Sequence, residues 1–494
     1  MNRLVLTILI FLMVFQGVAY AQVPGIEGGI SDGYEYQEYV FITGEPILMT
    51  GTLKITSSRG RTSYRYSLTN TEKNATLTRS YTITTVVDLD SAKHQTIETS
   101  TLDRNYSETI KVGSDTYTLD DYSLSMSRVI DNKPAVDYFA GNWTGRKIYT
   151  INRNLGKVIV DIDSKTTGYD HYWGSTETMD ISQAISYSRE GTDDSEKIEW
   201  NGNFHEYLSY TMEKTLDYIE NDPTWISFKG GYLMQEKKDG TVVINYNLPT
   251  IKDTGDGITI DNRKRNIDSI EFTLHEPVTQ ERLYITDYRD ISGHWAERDI
   301  ERLSSLNVFP KDTVYFYPNI PITRADFVMA VSKATDMLPQ TTTTTRTTRM
   351  TRNQTQEASP FDDVPVDSSY YPYIKNVYEK GLIDGISPRR FGPNEFLTRA
   401  QAVTILVRAA GLEGLAPTYG YSTGYADDDS IPSWARDSIY VATRMNILQG
   451  DSRGRVNPND KLTRAEAAVL LNRFIDYLKE DFQRDYKDGI INYK

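Results

Sequence analysis

The chain of 494 residues contains no cysteine. It therefore has no disulfide to stabilise its fold, no thiol for chemistry and no cysteine that could carry a lipid. Cations are also in deficit, since 54 Lys and Arg face 68 Asp and Glu and the net charge is -14. This balance argues against nucleic acid or an anionic lipid surface as the general partner, because both require a broad basic surface. It does not exclude an anionic ligand bound at a few defined arginines.

Long apolar runs are scarce, and the exception lies at the start of the chain. Residues 4–18 are mainly apolar, follow Arg3, and lead into the small-x-small pattern Ala19-Tyr20-Ala21. About 15 apolar residues fall short of the ~20 that span a bilayer. We therefore interpret residues 1–21 as a signal peptide rather than a membrane anchor. We expect an exported chain with no membrane span after cleavage and no covalent anchor.

Residues 22–285 have the pattern of a β-rich region. Runs such as "RSYTITTVVDL", "GKVIVDID", "GTVVINYNL" and "SIEFTLHE" alternate with the period of half-buried strands. Turn signals separate them, at Asn70-Thr71, Asp239-Gly240 and Asp256-Gly257. The best helical candidate in this region is "NFHEYLSYTMEKTLDYI". We predict an all-β, sandwich-like N-terminal region, as one sandwich or a pair of small ones.

From about residue 287 the period becomes helical and the sequence repeats three times. A proline precedes an arginine at the same spacing in each copy, in the pairs Pro318/Arg324, Pro393/Arg399 and Pro458/Arg464. An apolar stripe with helical spacing follows each arginine: Phe327, Ala330, Val331, Ala334; Ala402, Ile405, Leu406, Ala409; Ala467, Leu470, Leu471, Phe474. An upstream helix in each copy has a buried face marked by Ile300, Ile374 or Ile439. Each repeat is thus predicted to be helix, loop, helix.

The arginine of each repeat lies in an unfavourable place for a cation. Thr323, Thr398 and Thr463 cap the second helix of each repeat, so the arginine falls in the first turn. The helix dipole disfavours a cation there by a few tenths of a kcal/mol. Two interpretations remain. The arginine and the free N–H groups of the helix N-terminus bind an anion, or the arginine pairs with an acid at the start of a repeat.

These repeats resemble the S-layer homology family. The resemblance rests on an aromatic residue and Asp, a Trp-Ala helix start, a Gly-Ile-Ile-x-Gly turn, Phe-x-Pro and Thr-Arg-Ala-Glu, recurring over about 287–337, 360–413 and 424–478. It implies an all-α three-sided helical prism with grooves between repeats. Such grooves bind secondary cell-wall polysaccharide non-covalently, typically polymer that carries pyruvate ketals. The resemblance places the chain at the bacterial cell surface, in the cell wall or S-layer, and is compatible with self-assembly there.

The chain is divided accordingly into a signal peptide, a β-rich extracellular region, three repeats, two spacers and a tail. The predicted bounds are 1–21 for the signal peptide, 22–285 for the β region, 286–337, 360–413 and 424–478 for the repeats, 338–359 for a Thr/Arg-rich linker, 414–423 for a spacer and 479–494 for the tail.

The resemblance also implies the residues that bind glycan. They are Arg324, Arg399, Arg464, Asp290, Asp362, Asp427, Trp295, Trp434, Gly385 and Gly450. Three departures from the family pattern are visible. The middle repeat has Ser369 at the Trp position, the third has Asn446 at the first glycine, and the first has Asn307 and Lys311 at the two glycines.

Other motifs give weaker signals, and we predict no catalytic residue, no metal site and no cofactor. "GYSTG" at 420–424 matches a nucleophile elbow but lies in a spacer. The five histidines have no metal-ligand spacing: His94, His171, His205, His275 and His294. Asp253, Asp256 and Asp261 fit a solvated turn better than a calcium site.

Two functions remain for the whole chain. The first is a structural or binding protein of the bacterial surface, anchored by its repeats with the β region displayed outward. The second is an anchored extracellular enzyme that acts on polysaccharide through the β region. No nucleophile or metal cluster supports the enzyme, but an acid-pair hydrolase leaves little trace in sequence.

Overall fold

The computed structural model describes residues 25–191, 197–220, 230–253, 258–339 and 358–486. The predicted signal peptide, most of the Thr/Arg-rich linker, Asp256 and the last residues of the tail lie outside these ranges. The described part contains 15 strands followed by seven α-helices. An all-β region followed by a helical one is therefore confirmed. None of the helices described has the length and apolar character that a membrane crossing requires.

The β region is one antiparallel sheet. Its strands are β1 Ile30–Ser31, β2 Tyr36–Val40, β3 Ile47–Ser58, β4 Arg61–Asn70, β5 Ala75–Asp90, β6 Gln95–Leu102, β7 Ser107–Val112, β8 Asp115–Asn132, β9 Asp137–Ile151, β10 Gly156–His171, β11 Gly174–Arg189, β12 Ile198–Ile219, β13 Gly231–Asp253, β14 Ile258–His275 and β15 Thr279–Tyr284. Neighbours in sequence pair with each other along most of it, while β7 pairs with β5 and β8, and β15 pairs with β13.

The predicted sandwich of separate sheets is not what the strands form. The single sheet curls instead, so that its first strands lie over its last ones. The Tyr39 ring of β2 lies 5.7 Å from Phe272 of β14, and Phe41 stacks on Phe204 of β12 at 4.1 Å. Long strands favour this arrangement because the right-handed twist accumulates along and across the sheet. The inner face encloses the core of the β region.

The best helical candidate of this region, residues 203–219, is not a helix, because these residues belong to β12. Trp200, Phe204, Leu208 and Met212 are all buried and recur at every fourth position. A spacing of four fits both the strand period of two and one face of a helix. Tyr210, two positions from Leu208 and from Met212, is buried as well, and this burial fits the strand period of two.

Asp239-Gly240 was predicted as a turn and instead lies inside β13. A Cβ at Gly240 would lie 3.0 Å from two side-chain atoms of Ile30, in the segment that begins the described chain. The glycine therefore permits this segment to cross the sheet at close range. The turn at Asn70-Thr71 is confirmed, since β4 ends there.

The core of the β region contains a buried ion cluster, formed by Glu27, Glu38, Arg79, Glu108 and Lys147. Each of these side chains is at most 6% exposed. Arg79 donates two hydrogen bonds of 2.9 Å to the Glu38 carboxylate and one of 2.8 Å to Glu108. Lys147 donates to Glu27 at 2.6 Å and to Glu108 at 3.0 Å. The cluster connects the N-terminal segment to β2, β5, β7 and β9.

A further carboxyl group, Glu206 of β12, lies in the same interior and gives a pH-dependent prediction. Burial, reinforced by the charges of Glu38 and Glu27, raises its pKa well above the ordinary value. The folded state therefore keeps a proton that the unfolded state releases as the pH rises above about 4.5. The free energy of unfolding therefore falls as the pH rises above about 4.5, by up to about 1.4 kcal/mol per pH unit for one proton.

We therefore expect Glu206→Gln to raise the free energy of unfolding at pH 7 and to flatten its fall between pH 5 and pH 7. Urea titrations across this pH range measure both effects. A variant whose stability falls as steeply as that of the wild type would show that Glu206 is not the group responsible.

The helices are α1 Glu297–Ser305, α2 Arg324–Ala334, α3 Tyr371–Glu379, α4 Arg399–Ala409, α5 Arg436–Arg444, α6 Arg464–Asp476 and α7 Phe482–Tyr486. The predicted pair of helices per repeat is confirmed, and the predicted apolar stripes and the three isoleucines are buried. Thr323, Thr398 and Thr463 cap α2, α4 and α6, with complete capping boxes at α4 and α6.

The two parts of the chain share a hydrophobic core. Trp173, between β10 and β11, is 1% exposed and donates its indole N–H to the carbonyl oxygen of Ala334 at 2.8 Å. Tyr138 of β9 donates its hydroxyl to the carbonyl oxygen of Ala410 at 2.8 Å. The sheet is therefore docked on the helical repeats.

The tail adds a second connection to the sheet. A π-helical turn at Tyr477–Asp481 continues α6 into α7. The Phe482 ring of α7 lies 4.8 Å from the Tyr169 ring of β10, and the Tyr486 ring lies 4.9 Å from it. Part of the predicted tail is thus a structural element that closes onto the β region.

Candidate functional site

The three repeat arginines close the repeats into a ring. Each donates its Nε–H to the first carbonyl of the Phe-x-Pro position in the next repeat. Arg324 bonds to Phe391 at 3.0 Å, Arg399 to Val456 at 2.9 Å, and Arg464 to Phe316 at 2.8 Å. The order runs from repeat one to two, two to three and three back to one. Each arginine is therefore a joint between neighbours.

The N–H groups at the start of these helices are also used by the next repeat. The Arg324 N–H donates to the Glu395 carbonyl at 2.9 Å, and the Ala325 N–H donates to Pro393 at 3.1 Å. The equivalent bonds recur at Arg399 and Arg464, and each threonine cap accepts the third N–H. The prediction that free N–H groups at these helix starts bind an anion is therefore wrong, because the N–H groups already donate to carbonyl oxygens of the next repeat.

The aspartates that open the repeats fix a turn within their own repeat. Asp290 accepts hydrogen bonds from the N–H groups of Phe316 and Tyr317, both at 2.7 Å. Asp427 accepts from Val456 at 2.8 Å and Asn457 at 2.7 Å. Both carboxylate oxygens are engaged in each case, so these side chains set the turn that receives the arginine.

In the middle repeat this role belongs to Asp363 rather than to the predicted Asp362. Asp363 accepts from the N–H groups of Phe391 and Gly392, both at 2.8 Å. Asp362 is exposed and pairs with Arg389. The signal in the sequence is the spacing aromatic-x-Asp, which Phe361 and Asp363 satisfy as Tyr288 and Asp290 do.

The departures at the glycine turn have a conformational reason. Asn307, Gly381 and Asn446 follow the first helix of each repeat with φ of 58°, 67° and 55°. Asparagine tolerates this left-handed conformation better than other non-glycine residues, so the turn survives its loss of glycine. At the second position, a Cβ on Gly385 would lie 2.6 Å from the carbonyl oxygens of Ser387 and Arg390. The absence of a side chain at Gly385 therefore lets the backbone of its own loop pass close to it.

A groove of about 420 Å³ lies where the second and third repeats meet, and it brings three predicted site residues together. These are Arg399, Gly450 and Trp295, the last contributed by the first repeat. Trp295 is 66% exposed, so its ring is available to a ligand. Arg399 also donates to Glu466 at 3.0 Å. We call this space the 2/3 groove.

Two cations of the 2/3 groove were not predicted, namely Lys461 and Arg473. Arg473 makes no ion pair with another described residue, and Lys461 lies 4.9 Å from the centre of the Phe396 ring. They can meet an anion more freely than the arginines of the ring. The sequence does contain a signal for Arg473, because the other two repeats also have a cation at this position, Lys333 and Arg408.

The cyclic order assigns the remaining predicted residues by position. At the junction of the first and second repeats, Trp434, Arg324 and Gly385 occupy the repeat positions that Trp295, Arg399 and Gly450 occupy at the 2/3 groove. Trp434 is 54% exposed. The third junction combines Arg464 with Ser369 and Lys311, so it lacks both the Trp and the glycine of the other two. The three junctions of the ring are therefore chemically unequal.

The other motifs do not form sites in the described part of the chain. Ser422 lies in a loop and accepts a hydrogen bond from the Gly424 N–H at 3.2 Å, without the strand and helix of a nucleophile elbow. Over the same ranges, His, Asp and Glu do not gather in any group of three or more suited to a metal ion.

A family model described as S-layer homology domain matches three stretches of the chain, residues 287–328, 360–403 and 424–468. The resemblance seen in the repeats is thereby confirmed.

Similar proteins come from several bacteria. The chain is 33% identical to an endoglucanase of Bacillus sp. (strain KSM-635) over 144 residues, which cover 28% of this chain and 15% of that protein. It is 28% identical to a surface-layer 125 kDa protein of Lysinibacillus sphaericus over 196 residues, or 39% and 15% of the two chains. It is 28% identical to a cell surface protein of Thermoanaerobacter kivui over 128 residues, or 26% and 17%.

The aligned part is thus a small fraction of each relative, between 15 and 17% of its length. The matches to hydrolases cover only the repeat region, so they carry no information about an activity of the β region.

Proposed function

Because the chain carries three S-layer homology domains, we propose that it is an exported bacterial surface protein held non-covalently on cell-wall polysaccharide. In this proposal the three repeats form a three-sided prism, and the β region is displayed outward as a structural or binding element. Relatives named as surface-layer and cell surface proteins support this location.

The 2/3 groove carries the proposal. It combines an exposed indole, which can stack on a sugar ring, with the cations Lys461 and Arg473, which can pair with a carboxylate. Three acids also line the groove, but Glu466 is paired with Arg399 and Asp451 accepts two backbone N–H bonds, which leaves Asp460. A polymer that bears pyruvate ketals presents both features, a pyranose face and a carboxylate. The ring arginines then act by building the groove, with Arg399 the one that also lines it.

The test is cosedimentation of the full chain with purified cell walls, before and after the secondary polymer is stripped. We expect binding to intact walls, loss of binding to stripped walls, and an affinity at least about tenfold lower for Trp295→Ala/Arg473→Ala, or about 1.4 kcal/mol. The expected loss arises because the variant removes stacking and charge while leaving the ring hydrogen bonds intact.

The matched control is Tyr419→Ala/Arg104→Ala, which removes one exposed aromatic residue and one exposed cation outside the groove. It should bind like the wild type. Equal binding to intact and stripped walls would refute a polymer-dependent anchor. A groove variant that binds as the control does would move the binding site away from the 2/3 groove.

A further inference from the structure

A second cavity lies on the outer face of the sheet, within the β region and apart from the repeats. Its volume is about 750 Å³, and its lining comes from the strands β9 to β14. Ligand sites in proteins have volumes of about 300–1,000 Å³, so the cavity is large enough for a ligand. We call it the outer-face trough.

The register of the sheet explains which side chains line the trough. Directly paired residues on neighbouring antiparallel strands point to the same face. Thr144, Asp163, Ser182, His205 and Asn245 are paired in this way from β9 to β13 and form one row across the sheet.

A second row lies beside the first on the same face. It includes Asp161, Asn203 and Asn247, each two residues along its strand from a member of the first row. The rows present amides, hydroxyls and carboxylates to solvent. The side chains are short, so fixing them around a ligand costs little rotamer entropy.

Part of this polar surface is already oriented, and part is free. His205 contacts Asp180 through Nε2 and lies 3.1 Å from the Ser182 hydroxyl through Nδ1. Arg265 donates to the Asn247 side-chain oxygen at 2.6 Å. By contrast, the side chains of Asn203 and Asn245 make no hydrogen bond to other described residues. Free amides between fixed groups are suited to hydroxyl-rich ligands, since each amide both donates and accepts.

Ser182, His205 and Asp180 have the members of a catalytic triad, but their position does not favour catalysis. Strand β11 is paired along both edges, so the backbone N–H groups around Ser182 serve the sheet ladder. The N–H pair that would stabilise an oxyanion is thus absent from the neighbourhood of Ser182. The three side chains serve as a fixed polar support of the trough.

An aromatic surface flanks the trough. Tyr207 follows His205 on the same face of β12, is 44% exposed, and has its ring 4.5 Å from the imidazole. A tyrosine held in this way offers an apolar ring face next to polar groups. Pyranose rings present the same combination, with apolar C–H faces and hydroxyl edges.

We propose that the outer-face trough binds an uncharged polysaccharide chain. The carboxylate of Asp163 disfavours an anionic polymer, whereas that of Asp161 is paired with Arg146. Neighbouring strands lie about 4.8 Å apart, which is close to the length of one sugar unit in an extended chain. A glycan that crosses the strands thus meets similar groups at each step. This ligand differs from the anionic wall polymer proposed for the repeats.

The test is retention of the full chain on insoluble cellulose, chitin and xylan, with soluble polygalacturonate as the charged comparison. We expect binding to at least one uncharged polymer and none to polygalacturonate. Asn245→Ala/Tyr207→Ala should weaken binding at least tenfold, whereas Asn105→Ala/Tyr34→Ala, which alters an exposed Asn and Tyr elsewhere in the β region, should not.

The proposal would be overturned if the wild type bound none of the three uncharged polymers. Equal binding by the two double variants, or preference for polygalacturonate, would overturn it as well. None of these polymers is a cell-wall secondary polymer, and neither variant alters a repeat. A negative result here therefore leaves the anchoring proposal intact, and loss of wall binding leaves this one intact.

Discussion

Arg79→Met is expected to destabilise the β region by about 3–5 kcal/mol, the usual cost of removing one partner from a buried ion pair. Arg79 is 6% exposed and donates hydrogen bonds to Glu38 and Glu108, whose buried carboxylates lose a charged partner if the guanidinium is removed. Methionine replaces the aliphatic volume but offers no donor. The cost arises from the carboxylates that stay behind rather than from the lost charge itself.

Urea unfolding followed by far-UV circular dichroism measures this loss. Arg61→Met is the matched control, because Arg61 pairs with Asp103 while its own side chain is 62% exposed. Exposed pairs contribute about 0–1 kcal/mol, so the control should unfold near the wild-type midpoint. Similar midpoints for the two variants would contradict a buried, mutually dependent ion cluster.

Trp173→Ala should give the second large effect, a loss of about 3–5 kcal/mol, as buried Phe and Trp truncations do. The substitution leaves a cavity in the shared core and removes the donor of the Ala334 carbonyl. Because that core joins the sheet to the repeats, we also expect the two parts to unfold in separate steps. Differential scanning calorimetry detects the change from overlapping to separated transitions.

Trp434→Ala is the control for this experiment, since it deletes the same side chain at a position that is 54% exposed. Its stability should lie within about 0.5 kcal/mol of the wild type. If Trp173→Ala were no more destabilising than Trp434→Ala, the docking of the sheet on the repeats would not contribute to stability.

The repeats show how far the sequence could predict the candidate site. Cap residues, apolar stripes and the arginine position follow from spacing along one helix, and the structure has them all. The partners of the arginines could not be predicted in this way. Phe391, Val456 and Phe316 belong to the next repeat, and their carbonyls meet the arginines only when the ring closes.

The β region gives the opposite lesson. Its strands were predictable from a period of two, but the curl of the single sheet depends on twist accumulated over many strands. The buried arginine nevertheless left a signal. Arg79 lies in the same alternation as Leu77 and Tyr81, which are buried, and so falls on the inner face. A cation in an apolar register position predicts a buried partner, although not which acids provide it.

The attachment of the helical part to the sheet at both of its ends has a mechanical consequence. The helical part joins the sheet covalently near residue 285, and its far end is fastened to the sheet by Phe482 and Tyr486. A pull on the β region, with the repeats held at a wall, is then shared between both ends of the helical part. Detaching either terminal repeat would also require breaking its arginine bonds to the neighbouring repeats, because those bonds close the three repeats into a ring.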